Sequence, residues 1–140
     1  QPPYSMLRRG IEADLLPYCL ANRIGVIVYS PMAAGILSGA MTRERAMSLP
    51  ANDWRSKNPE YQEPRLSRNL ALVEQLRHIG ARYGTSPGAV AIAWTLRQPA
   101  VTGAIVGFRS AQQVDGLLAA ASLRLEPGEI AEIDGLTAAG

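Results

Sequence analysis

Two stretches hold the side chains that could do chemistry, and neither has the makings of a catalytic centre. The first, Tyr29-Ser30-Pro31-Met32-Ala33-Ala34-Gly35, sends an aromatic and a hydroxyl into a run of small residues. An aromatic there can stack on a planar ring, and small residues let backbone N–H groups approach an anion. The second, Gly107-Phe108-Arg109-Ser110 leading to Gln113, sets a guanidinium beside a helix start. The free N–H groups and dipole of such a start favour a phosphate, and an arginine fork matches one. Catalytic constellations are otherwise absent. The single histidine, His78, lies between Arg77 and Ile79 in a helical stretch and reads as solvated or partly packed. Cys19 lies on an apolar helical stripe and reads as core. Neither common Gly-rich phosphate loop occurs, and no metal-ligand cluster can be assembled.

The elements that must position these stretches follow from patterning. Ile24–Tyr29 and Gly103–Val106 are short, continuous apolar runs, the first closed by Pro31 and the second by Gly107. Continuous rather than alternating apolar residues predict parallel strands covered on both faces. Helical stretches separate them. Ile11 to Asn22 carries Ile11, Leu15 and Cys19 at spacing four, with Pro17 expected to start a new turn or kink the first one. Arg65 to Tyr83 carries Leu72, Leu76, Ile79 and Tyr83 on one stripe. Ser86-Pro87 reads as an N-cap and first helical residue of a segment ending near Arg97. Ser110-Ala111-Gln112-Gln113 fits a capping box opening a helix to about Ala121, and a last helix follows Pro127. Between Ala34 and Pro64 runs a long irregular connection of the kind that is often functional. The alternation predicts a parallel α/β architecture, and two strands are too few to complete its sheet.

Composition narrows the function classes. The 140 residues carry 14 Lys+Arg, of which only Lys57 is lysine, against 12 Asp+Glu, a net charge of +2 with no basic block. That excludes a nucleic-acid polycation. One cysteine excludes an internal disulfide and a Cys-rich zinc site. No apolar run approaches the roughly 18 residues of a bilayer span, and no secretory leader pattern opens the chain, which points to a soluble cytoplasmic protein. The chain starts at Gln1, straight into Pro2-Pro3, and reads as one cut from something longer.

Five ordered motifs then carry a resemblance. They are Gln1-x-x-Tyr4-Ser5, Leu16-Pro17-Tyr18-Cys19, Tyr29-Ser30-Pro31-x-x-x-Gly35-x-Leu37-Ser38-Gly39, Ser86-Pro87-x-x-Val90-Ala91-x-Ala93-Trp94 and Gly107-x-Arg109-x-x-x-Gln113. Together they resemble the C-terminal half of an aldo-keto reductase. The resemblance covers residues 1–140 as part of one (β/α)8 barrel domain, entered at the end of its sixth strand. It implies NADPH as cofactor and an aldehyde or ketone as substrate. It also implies that Gln1 binds the nicotinamide carboxamide and that Tyr29 stacks on the nicotinamide. Ser30, Pro31, Met32, Ala33, Gly35 and Leu37 would follow the pyrophosphate, and Arg55 would close over the cofactor. Gly107, Arg109 and Gln113 would hold the 2′-phosphate and adenine, the capping role of Gln113 being compatible with this. Ala40, Gly116 and Leu117 depart from common family residues, which implies fewer adenine contacts. Met32 stands where leucine is usual. The family's Asp, Tyr, Lys and His would lie upstream of Gln1, so no catalytic residue is assigned and the N-terminal half is an expected partner. A non-enzymatic NADPH-sensing subunit of the same fold, and an inactive remnant, remain alternative readings.

Overall fold

The computed structural model describes residues 1–137. At its centre two strands, β1 (Val26–Tyr29) and β2 (Val101–Ile105), run parallel, with Val28 opposite Ala104 and Tyr29 opposite Ile105. Residues 2–4 lie along the other edge of β1. There Pro3 bridges Tyr29 in parallel, the Tyr29 N–H donates to the Pro2 carbonyl at 3.1 Å, and the Tyr4 N–H donates to the Tyr29 carbonyl at 3.2 Å.

Both strands differ from their expected bounds for a local reason. The Ile24 N–H donates to the Cys19 carbonyl at 2.8 Å, which closes the preceding helix and leaves pairing to begin at Val26. Ser30 then takes φ 56° and Pro31 follows, so no β1 residue remains to pair with Val106. Within this chain alone the sheet has one covered face: Val26 and Val28 are buried, whereas Ile27, Tyr29 and Ile105 are exposed.

Among the described residues there are six α-helices: α1 (Leu15–Ala21), α2 (Arg43–Met47), α3 (Arg65–Arg82), α4 (Pro87–Leu96), α5 (Ala111–Leu118) and α6 (Pro127–Thr137). The helix expected over 11–22 is divided into a 3-10 turn, Gly10–Glu12, and α1. Pro17 falls in the first turn of α1, where a missing N–H breaks no ladder bond, so the chain bends before it rather than at it. The connection from Ala34 to Pro64 folds almost entirely into short pieces: α2 and 3-10 turns at Ala33–Ser38, Trp54–Lys57 and Pro59–Tyr61.

The apolar segment α4 is buried nearly all round, with Val90, Ala91 and Trp94 facing the main core beside Leu72, Leu76 and Ile79 of α3. Each such aliphatic side chain contributes about 1.5–3 kcal/mol on burial. The Ser86 hydroxyl caps α4, accepting from the Ala89 N–H at 3.1 Å. Tyr83 leaves the α3 stripe because its hydroxyl donates to the buried carboxylate of Glu129 on α6 at 2.8 Å. Trp94 is fully buried under two cations: the Arg97 guanidinium lies 3.9 Å from its ring centroid and that of Arg9 5.1 Å away. Arg9 also pairs with Asp134 at 2.8 Å, and the Tyr4 hydroxyl donates to Glu12 at 2.5 Å. The start of the chain, α4 and α6 are thereby joined in one polar network.

Candidate functional site

Both strands end at an open cleft of about 1250 Å³. Its three walls are the loop after β1, the segment around Trp54, and the turn into α5.

The first wall is an unusual backbone. Ser30, Ala33 and Ala34 have φ of 56°, 48° and 57°, a left-handed region that costs a non-glycine residue about 1–2 kcal/mol. Gly35 continues it at φ 99°, where glycine alone is unstrained. Local bonds hold this conformation. The Ala33 N–H donates to the Ser30 carbonyl at 2.9 Å, and the Leu37 N–H donates to that of Met32 at 3.2 Å. From across the cleft floor, the buried Tyr61 hydroxyl donates to the Ala34 carbonyl at 2.9 Å. Ile36 and Leu37 anchor the loop from beneath. Helix α4 passes close under it: a Cβ at Gly88 would stand 3.0 Å from Met32 Sδ and 3.1 Å from Leu117 Cδ2.

In the second wall, Asp53 caps the 3-10 turn Trp54–Lys57 by accepting the Arg55 N–H at 3.0 Å. It also grips the Arg55 side chain through two parallel bonds. Those side-chain bonds, and then the backbone bond, lower the Asp53 pKa to about 2. Trp54 is 60% exposed over the cleft and meets Tyr61 edge-on at 6.4 Å between ring centroids.

The third wall begins where β2 stops. Gln113 Oε1 accepts the Arg109 N–H at 2.8 Å, and the Gln113 N–H donates to the Ser110 carbonyl at 3.1 Å. The expected capping box is therefore corrected: the Ser110 hydroxyl caps nothing, and Gln113 reaches one residue further back. The Arg109 guanidinium is exposed, with no ion-pair partner among the described residues.

Of the residues singled out from sequence, Tyr29, Ser30, Pro31, Met32, Gly35, Arg55, Gly107, Arg109 and Gln113 line this cleft. Three do not. Gln1 is exposed outside its walls, the Ala33 carbonyl turns toward Tyr61, and the Leu37 side chain is wholly in the core. Sequence reasoning missed Asp53, Trp54 and Phe108, the last 58% exposed at the cleft. The Asn52-Asp53 turn signature ahead of an aromatic was the available signal for the first two. His78 is exposed on α3 and takes no part in the cleft.

The aldo/keto reductase family model matches residues 1–138. Aldo-keto reductase YhdN of Bacillus subtilis is 36% identical over 118 residues, 84% of this chain and 35% of that protein. The NADH-specific methylglyoxal reductase of Escherichia coli is 32% identical over 129 residues, 92% of this chain and 38% of that protein. The structure of glycerol dehydrogenase AKR11B4 from Gluconobacter oxydans superposes with TM-score 0.89 at 32% identity, over 99% of this chain and 42% of that one. This chain belongs to the aldo/keto reductase family. It spans well under half the length of these relatives.

Proposed function

We propose that this chain is the cofactor-holding C-terminal part of a (β/α)8 reductase that converts aldehydes or ketones to alcohols with NADPH. On this reading β1 and β2 are the seventh and eighth barrel strands, and residues 2–4 end the sixth. The protein is cytoplasmic, and its N-terminal half covers the exposed face of Ile27, Tyr29 and Ile105. One observation carries the reading: an exposed aromatic, a left-handed loop and an unpaired arginine at a helix start converge on one cleft at the strand ends. These groups fit a dinucleotide, which offers a planar ring at one end and phosphates along its length.

When bound, NADPH supplies the hydride. The chain's own residues bind and orient. The Tyr29 ring, 41% exposed, gives the nicotinamide a face to lie on. Gln1 lies outside the cleft walls in this chain, beside the Pro2–Tyr29 bond, and on this reading it would turn toward the nicotinamide carboxamide. Backbone from Ser30 through Leu37, including Pro31, Met32, Ala33 and Gly35, follows the pyrophosphate. Gly107, Arg109 and Gln113 take the 2′-phosphate and adenine, aided by the N-terminal dipole of α5. On this reading the proton for the product alcohol comes from the N-terminal half, while Tyr29 at the cleft acts through its ring.

A relative named for NADH makes the two-cofactor comparison decisive. Calorimetric titration of the full-length protein with NADPH and with NADH should give tighter NADPH binding, and carbonyl-dependent NADPH oxidation should follow. Binding without turnover would favour a nucleotide sensor, and binding of neither would end the proposal.

A further inference from the structure

An arginine presents parallel N–H pairs on two edges, a side edge of Nε and Nη2 and an end edge of Nη1 and Nη2. At the cleft rim, Asp53 takes the side edge of Arg55: Nε donates to Oδ1 at 2.9 Å and Nη2 to Oδ2 at 2.5 Å. Oδ1 accepts the Arg55 backbone N–H as well, at 3.0 Å. The pair is partly shielded at the cleft rim, the two side chains being 18% and 23% exposed for Asp53 and Arg55. Nη1 has no hydrogen-bond or ion-pair partner among the described residues. Arg55 lines the cleft, and with its side edge held, the end edge is the one left to meet a ligand.

We propose that Asp53 is a positioning residue: it fixes Arg55 so that the end edge stands as a preset fork for phosphate oxygens of the bound dinucleotide. The inference rests on the cofactor-holding reading and deepens it. An arginine already held loses little side-chain freedom when it engages an anion. The carboxylate lowers the local positive charge, yet Arg45 and Arg109 line the same cleft, so the charge balance there still favours an anion. Asp53 is thus a brace for the arginine rather than a competitor for it.

The test is a double-mutant cycle in the full-length protein, with NADPH and NADH binding measured by calorimetry. Asp53→Asn keeps a good N-cap acceptor for the 3-10 turn and loses the ionic grip, so thermal melting should change little. Asp53→Asn should weaken both cofactors about five- to tenfold and Arg55→Ala about tenfold, while the double variant binds no worse than Arg55→Ala alone. The two cofactors should lose equally, because both carry the pyrophosphate. Asp53→Ser, a second capping residue without a carboxylate, should reproduce the loss if Asp53→Asn folds poorly. Additive losses, or unchanged or tighter binding in Asp53→Asn, would overturn the proposal. If the unmutated protein binds NADPH and Arg109→Ala weakens it while Asp53→Asn does not, only this inference fails. If the unmutated protein binds neither cofactor, the underlying reading fails and takes this one with it.

Discussion

Arg109 and Arg55 are two guanidiniums on one cleft in opposite circumstances. Arg55 is held by a neighbouring carboxylate, whereas Arg109 engages Gln113 through its backbone N–H and its guanidinium has no ion-pair partner among the described residues. An exposed guanidinium at a helix start, without an ion-pair partner among the described residues, is suited to a phosphate that one cofactor carries and the other lacks. A charge-assisted pair contributes roughly 1.5–3 kcal/mol, so Arg109→Ala should weaken NADPH binding by about one to two orders of magnitude. NADH affinity should barely move. Titration of both cofactors checks this, and equal losses would remove Arg109 from the 2′-phosphate role.

At the scale of elements, the loop Ala33–Ser38 is the least self-sufficient piece, since two alanines hold left-handed dihedrals there. Tyr61 supplies the missing support from the far side of a 28-residue connection. Tyr61→Phe keeps the packed ring and leaves the Ala34 carbonyl without that bond, which should destabilise the protein by about 1–3 kcal/mol. Cofactor affinity should fall with it. A melting curve together with NADPH titration measures both, and an unchanged affinity would show that the loop keeps its shape unaided.

This dependence also explains what was legible beforehand. The buried helix behind Ser86-Pro87, the strands and the cleft aromatic Tyr29 follow from local chemistry: a cap, a proline, an apolar run. Left-handed dihedrals at Ala33 and Ala34 do not, because alanine carries no turn signal and the bonds around them, the distant one from Tyr61 included, exist only in the folded chain. The strand ends differ from the apolar runs for a similar reason. Ile24 is as apolar as Val26, and only the bond from its N–H to Cys19 removes it from the ladder. Trp54 and Asp53 escaped notice because the segment holding them has no periodicity, being a chain of short 3-10 turns.

For the molecule as a whole, burial is uneven. Ile27 and Ile105 on the sheet, with Tyr18, Leu20 and Ile24 nearby in sequence, are exposed. An open apolar sheet face and strand edge invite pairing with another chain. Residues 1–140 produced alone should therefore self-associate or melt without cooperativity, and show no carbonyl turnover. Size-exclusion chromatography with thermal melting decides it: a monomer with a sharp transition would show that this part folds unaided.

Alkali should act on a buried phenol that lies beside β1. Burial, with help from the bond to Glu12, pushes the Tyr4 hydroxyl up to about 12. The neutral phenol is favoured by folding, against an unfolded value of about 10. Its contribution is complete below pH 10 and is lost as pH rises toward 12, a decline of about 2–3 kcal/mol. Denaturant midpoints at pH 9 and pH 11.5 measure it, with Tyr4→Phe expected to flatten the difference.

The two tryptophans of the chain divide the interior from the cleft, and that makes them separate optical reporters. Trp94 is sealed between cations, its indole N–H without a partner among the described residues, so its emission should be blue-shifted and inaccessible to acrylamide. Trp54, mostly exposed at the mouth of the cleft, should emit near the wavelength of free indole in water and be quenched readily. A ligand entering the cleft should silence or shield the red component and leave the blue one untouched, whereas unfolding should move the blue one. Binding and collapse can thus be read at two wavelengths in one cuvette, without a label.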